Sequence, residues 1–351
     1  MALDATIASL VDFGALARWM DAQGLPRGAI ESASAIAGGT QNVLLRFSRG
    51  GREYVLRRPP KHLRATSNEA LRREGRVLAA LAGTPVPHPR FIAGCFDESV
   101  MGGYVFYLME PVQGFNPMTG LPPLHAGDSR VRHAMGLEAA EAIARLACVD
   151  HVALDLGDLG HPEGFLERQV GRWLSELDSY ARHAGYPGPE IPGLDEVASW
   201  LERNRPTLTR PGILHGDYHL ANVMFAHDGP RLAAIVDWEM CTIGDPLLDL
   251  GWLIATWPDR EGFAIGPMAG VAALGGWPTP EELAARYAAT SGRDVSALAW
   301  YVVLASFKLG IILEGTHARA FAGKAPKATG DLLHAITLAL FQRAQARIAG
   351  R

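Results

Sequence analysis

The sequence predicts an α+β fold of two unequal lobes. A small β-rich lobe covers residues 1–110 and a larger, mainly helical one covers residues 111–351. Three observations predict it. Short runs rich in β-branched and aromatic residues crowd the first part, stretches with apolar residues at helical spacing fill the second, and the change of pattern falls at Pro111.

Leu10 to Met20 reads as an amphipathic helix that Gly24-Leu-Pro26 breaks. From Ala33 the pattern turns to strands. Val43-Leu-Leu-Arg-Phe47 and Tyr54-Val-Leu-Arg57 are joined by the turn Ser48-Arg-Gly-Gly51. Ser67 to Leu81 is helical, with Leu71, Val77, Leu78 and Leu81 on one face, and the prolines from Pro85 to Pro89 stop it. Phe91-Ile-Ala93 and Tyr104 to Met109 complete an antiparallel sheet. Beyond Pro111, helices are predicted over 130–149, 165–184, 194–203, 246–256, 279–291, 295–315 and 329–348. The Pro/Gly-rich segments 114–127 and 185–193 read as loops.

Composition excludes several function classes. Against 33 Lys and Arg stand 37 Asp and Glu, a net charge of −4, so no general basic field invites nucleic acid. Cys95, Cys148 and Cys241 show neither paired nor metal-ligand spacing and are expected as reduced thiols of a cytoplasmic protein. The first residues lack a secretory signal pattern. The apolar run Tyr301 to Leu313 is interrupted by Lys308 and is read as too short to span a bilayer, so no membrane partner is expected. The oligomeric state leaves no trace in the sequence.

The chemistry concentrates in Ile213-Leu-His-Gly-Asp-Tyr-His-Leu-Ala-Asn222 and Ile235-Val-Asp-Trp-Glu239. One acid, Asp217, precedes an amide, Asn222, and a second acid, Asp237, ends an apolar run. Phosphoryl transfer uses such a set. One carboxylate orients or deprotonates the attacking hydroxyl, while an amide and a second carboxylate hold Mg²⁺ on the phosphates of ATP or GTP. A second reading has His215, Asp217 and His219 binding a transition metal for hydrolysis. A third is a catalytically weak nucleotide-binding module. In the phosphoryl-transfer reading, His215 braces the loop.

Other positions fit around this set. Gly38, Gly39, Thr40 and Asn42 form a Gly-rich entry to the first strand pair, where backbone N–H groups meet phosphate oxygens; the same glycines also suit a plain turn. Arg57 ends a strand where a phosphate-gripping cation belongs, and Glu74 on the next helix is its expected ion-pair partner. Glu110 and Val112, at the change from strand to loop, offer backbone groups to an adenine edge. Asp245 is placed to cap the helix that Pro246 opens. Asp249, among leucines, needs donors that the backbone of the 215–222 loop would supply.

His215-Gly-Asp-Tyr-His-Leu-Ala-Asn222, Val236-Asp-Trp-Glu239 and Gly244-Asp-Pro-x-x-Asp249 together resemble the aminoglycoside phosphotransferase and choline kinase-like family. Tyr54-Val-Leu-Arg-Arg-Pro-Pro60, Arg73-Glu-Gly-Arg-Val-Leu78, Val86-Pro-His-Pro89 and Tyr107-Leu-Met-Glu110 narrow the resemblance to kinase-like domains associated with acyl-CoA dehydrogenases. The resemblance implies a protein-kinase-like fold and transfer of a γ-phosphate to a small-molecule hydroxyl. It makes Asp217 the catalytic base, Asn222 and Asp237 the Mg²⁺ ligands, and Asp249 the brace of the loop. Many relatives carry Lys where this chain has Arg57, whose planar fork is not a compact point charge. Segments 155–185 and 255–320 mix acids with many arginines, which argues against a polycationic aminoglycoside. The kinship with dehydrogenase-linked domains points instead to a hydroxylated acyl acceptor such as a CoA thioester. No Ala-Pro-Glu motif follows Asp237, so a protein substrate is not expected.

Overall fold

Side-chain alternation along the strands decides which residues reach the cleft. The computed structural model describes residues 7, 10–36, 42–63, 66–207, 210–258 and 268–350. Helix α1 (Phe13–Ala22) starts at Asp12, whose Oδ1 accepts the Ala15 N–H at 2.8 Å, a side-chain cap for an otherwise orphaned donor. Strands β1 (Ile30–Ala35), β2 (Val43–Arg49) and β3 (Arg52–Arg58) lead to helix α2 (Ser67–Ala80), then β4 (Phe91–Cys95) and β5 (Phe106–Met109). The strands form one antiparallel sheet in the order β1-β2-β3-β5-β4.

Leu45, Phe47, Tyr54, Leu56, Phe106 and Leu108 point to one face, where Leu16 and Met20 of α1 close a small core. With a period of two, the intervening residues face the other way. There Tyr107 enters the larger core, and Arg57 meets Glu74 of α2. Helix α2 itself places Leu71, Val77 and Leu78 in that larger core, beside residues of the helical lobe.

The helical part begins with α3 (Pro123–Gly127), α4 (Ser129–Ala147), α5 (Gln169–Asp178) and α6 (Leu194–Arg203). Two antiparallel pairs then nest one inside the other. Strand β6 (Gly212–Leu214) pairs with β9 (Thr242–Gly244), and between them β7 (Val223–Phe225) pairs with β8 (Leu232–Ile235). This nesting brings residues 215–222 and 236–241, the two loops that join the pairs, to one end. Helices α7 (Leu247–Ala255), α8 (Met268–Ala272), α9 (Pro280–Ser291), α10 (Leu298–Phe321) and α11 (Lys327–Ile348) complete the chain.

The fold class is as the sequence predicts, with four local differences. Strand β1 starts at Ile30, ahead of the pattern change expected at Ala33. The helix expected over 165–184 is confined to α5 and a following 3₁₀ turn, because Pro162 and Gly164 keep the preceding residues in turns. Helix α3 forms inside a segment expected as loop. The apolar run read as too short for a bilayer is part of α10, which continues to Phe321 and is long and apolar enough to cross one. Its apolar residues, among them Tyr301, Leu304, Phe307 and Ile311, are packed inside the larger core.

Candidate active site

Two loops meet on the cleft face, and close approach sets the first constraint. Gly216 adopts φ +87°, and a Cβ there would lie 2.5 Å from the Met240 carbonyl oxygen, so the 215–222 loop can pass the 236–241 loop only as glycine. Asp249 of α7 holds the first loop from beneath. Its two carboxylate oxygens accept the backbone N–H groups of His215 at 2.6 Å and Gly216 at 2.9 Å. Burial raises the Asp249 carboxyl pKa, against the charge of His215 and these two donors. The His215 ring turns away from the cleft: Nε2 donates to the Val236 carbonyl at 2.9 Å and so ties the two loops together.

The hydrolase reading finds no support here: among the described residues His215, Asp217 and His219 are not drawn together as a three-ligand group. Among the described residues the one group of three His, Cys, Asp or Glu side chains close enough to share an ion is elsewhere, at Glu314, His317 and His334.

Asp217 is held by two donors. Asn222 Nδ2 lies 3.0 Å from Oδ2 and 2.9 Å from the Asp217 carbonyl. His219 Nε2 lies 3.3 Å from Oδ1, while its Nδ1 accepts the Ala221 N–H at 3.2 Å. An accepting Nδ1 fixes the tautomer with the proton on Nε2, aimed at Asp217. Burial opposes ionisation of Asp217, but the hydrogen bond from His219 and the electrostatic pull of its surroundings, Lys308 among them, outweigh it. They hold the carboxyl well below the usual carboxylate range.

Asp237 stands at φ 66° and ψ 64°, a left-handed conformation that few residue types other than Gly tolerate and Asp does. Its Oδ1 accepts from Arg57 Nη2 at 2.6 Å. Arg57 Nε lies 2.8 Å from Glu74 Oε2 without pointing along that line, so this is a charge contact rather than an aligned hydrogen bond. The other Glu74 oxygen accepts the Trp238 N–H at 3.1 Å. Burial raises the Glu74 pKa, and the Arg57 charge is the first force keeping it ionised. Glu239, half-buried nearby, is also raised by burial and then by Asp237, with Asn42 Nδ2 3.4 Å from its Oε2.

The residues present fit a hard divalent cation. The Asn222 amide nitrogen is committed to Asp217, which leaves its oxygen, and Asp237 keeps a second oxygen on a side chain 40% exposed. Oxygen donors facing a shared cleft are what Mg²⁺ takes.

The remaining expectations divide. Gly38, Gly39 and Thr40 lie outside the described residues. Glu110 is less open than expected. Its N–H donates to the Arg90 carbonyl at 2.9 Å and its side chain pairs with Arg52 and Arg90, so of its backbone groups the carbonyl is left for a base. The Val112 backbone has no hydrogen bond among the described residues. Asp245 caps α7 through the Leu247 N–H at 3.0 Å.

Sequence reasoning missed Lys308, which reaches the loop from α10. It donates to the Gly216 carbonyl at 3.1 Å, and its ammonium lies 4.4 Å from the Trp252 ring and 5.4 Å from the Trp173 ring. Burial lowers its pKa to about 8, against the pull of Asp217 and Asp249. One signal was present: a single lysine in an otherwise apolar helical run.

The phosphotransferase enzyme family matches residues 32–300. Acyl-CoA dehydrogenase family member 11 of Gallus gallus is 32% identical over 310 residues, 86% of this chain and 38% of that protein. Acyl-CoA dehydrogenase family member 10 of Mus musculus is 29% identical over 287 residues, 80% of this chain and 26% of that protein. The chain thus spans well under half the length of these curated relatives. A Ralstonia eutropha crystal structure with a provisional aminoglycoside phosphotransferase name superposes with a TM-score of 0.76 at 30% identity, covering 95% of this chain and 98% of that one. A thermostable mutant of aminoglycoside phosphotransferase APH(4)-Ia, solved with ADP and hygromycin B, has a TM-score of 0.56 at 16% identity over 95% of this chain and 99% of its own. That likeness concerns the fold.

Proposed function

The chain belongs to the phosphotransferase enzyme family, and from that premise we propose that it is a small-molecule kinase. It transfers the γ-phosphate of ATP, or of GTP, to a hydroxyl. The observation that carries the reading is the convergence of Asp217, Asn222, Asp237 and the Arg57–Glu74 pair on one cleft. The intact set favours turnover over mere nucleotide binding.

In this reading Asp217 accepts a hydrogen bond from the acceptor hydroxyl and turns its oxygen toward the phosphorus. A carboxylate held so far below its ordinary range is a poor base toward an alcohol. Its work is orientation, and it takes the proton late, as a loose transition state allows. Asn222 and His219 fix its rotamer. Asn222 and Asp237 would hold Mg²⁺, which when bound neutralises charge on the phosphates. Arg57, fixed by Glu74, reaches toward the phosphates from the sheet. The Glu110 carbonyl and the Val112 backbone receive the adenine edge. The acceptor is a small hydroxylated molecule, and kinship with the acyl-CoA dehydrogenase family members supports one of acyl type, such as a CoA thioester.

The test is ADP release from Mg²⁺-ATP across a panel of hydroxylated acceptors, run beside thermal unfolding with nucleotide. Mg²⁺-ATP is expected to raise the midpoint of both wild type and Asp217→Asn, with turnover in wild type alone. No midpoint shift in wild type, or full turnover in Asp217→Asn, defeats the proposal.

A further inference from the structure

A cavity of about 760 Å³ opens beside the 215–222 loop, lined on the loop side by Gly216 and Glu239 and on the helical side by α5 and α10. Its charges are unevenly matched. Arg73, Arg168, Arg172 and Lys308 line it, and among the described residues none of the four forms an ion pair with a carboxylate. Of the three acids that line it, Glu69 and Asp158 are taken by Arg72 at 3.8 Å and Arg76 at 2.7 Å, neither of which lines the cavity, and Glu239 is met by Asn42 Nδ2 at 3.4 Å.

The deep end is rich in donors and short of acceptors. Lys308 has three N–H donors and one oxygen partner, the Gly216 carbonyl. Its neighbour Trp173 buries an indole N–H that finds no acceptor among the described residues. The two indole faces ease the ammonium into the interior. Asp217 and Asp249 attract it from the loop side, but among the described residues neither is hydrogen-bonded to it, so two of its donors stay without a partner. Arg172, exposed at the mouth, lies 5.4 Å from the Trp173 ring and leaves its fork free.

We propose that this cavity is the acceptor site and selects an acceptor that carries an anionic group, a carboxylate or a phosphate, which Lys308 and Arg172 hold while the hydroxyl faces Asp217. The proposal rests on the kinase reading for the hydroxyl, and on the cavity alone for the anion. It also separates this chain from its aminoglycoside-binding structural neighbour, because a polycation would meet four cations here against one carboxylate, Glu239, without a cationic partner among the described residues.

The test is a titration of the intrinsic tryptophan fluorescence, since Trp173 and Trp252 flank Lys308, without nucleotide. The probes are hydroxyhexanoate, glycerol phosphate, neutral hexanediol and kanamycin. One of the two anions is expected to bind at least tenfold more tightly than hexanediol, and which one identifies carboxylate or phosphate as the source; kanamycin gives no saturable change. Lys308→Met weakens that anion at least tenfold and Lys308→Arg restores part of the loss. If Lys308→Met fails to fold, Arg172→Gln at the exposed mouth is expected to weaken it several-fold. Equal binding of diol and anions, no binding of either anion, or unaltered affinity in the folded variants overturns the proposal. An anion that binds but yields no ADP with Mg²⁺-ATP leaves the anion site standing and counts against the kinase reading. Phosphorylation of neutral alcohols with equal kcat/KM does the reverse.

Discussion

Replacing Arg57 by Met tests how the sheet is tied to the catalytic loops. The side chains of Arg57 and Glu74 are 8% and 2% exposed, so the variant leaves a carboxylate buried without its counter-charge. Breaking a buried pair from one side costs about 3–5 kcal/mol. The lost contact to Asp237 adds little, because Asp237 is 40% exposed and water replaces the guanidinium. With 351 residues and about 2 cal/mol/K of unfolding entropy per residue, the midpoint should fall by about 4–7 °C if the chain unfolds as one unit. The penalty has a pH signature. Burial already raises the Glu74 pKa, and removing the arginine raises it further. A carboxyl whose folded pKa is raised gives its full stability below the unfolded value and loses it as pH rises through the folded one. The deficit of Arg57→Met against wild type should therefore be small near pH 5 and grow toward pH 8, windows set by an unfolded Glu value of about 4.3. The double variant Arg57→Met, Glu74→Gln should recover most of it. Thermal melts of wild type, Arg57→Met, Glu74→Gln and the double variant across that range decide the matter. A deficit independent of pH, or losses that simply add, would refute the coupling.

Two further outcomes follow from the loops. Gly216→Ala forces a side chain onto the Met240 carbonyl at a positive φ, so the two loops must separate; a displacement of about 1 Å can cost a hundredfold in rate, to be read as kcat in single-turnover assays while the nucleotide-induced thermal shift persists. His219→Ala removes the hydrogen bond that most lowers the Asp217 pKa. The acid limb of the kcat/KM profile is then expected to move to higher pH, since a depressed carboxylate loses its charge only as pH falls through its folded value. An unmoved limb would show that His219 does not set the charge of Asp217.

Much of this was legible from local pattern. The alternation in Tyr54-Val-Leu-Arg57 already placed Arg57 opposite the core face, and Asp249 among leucines already demanded donors. What stayed hidden depends on contacts far apart in the chain. Lys308 is 92 residues from the Gly216 carbonyl it serves, and nothing near it in sequence names a partner. Likewise, Glu110 reads as an open hinge until β4 and β5 pair and bring the Arg90 carbonyl to its N–H. The Val236-Asp-Trp-Glu239 motif gave no warning of the left-handed turn at Asp237, after which the Trp238 N–H meets Glu74.

The Arg57–Asp237 contact has a consequence for how the cleft waits. Asp217, Asp237 and Glu239 share one small volume, and a guanidinium from the opposite sheet is the placeholder that makes their company tolerable. In the proposed reading a divalent ion would take the Asp237 oxygen that Arg57 leaves open, while Arg57, tied to Glu74 through Nε and to Asp237 through Nη2, would stay beside it as a second positive charge. A lysine at this position would meet both acids through a single nitrogen, whereas the fork gives Glu74 and Asp237 a separate nitrogen each.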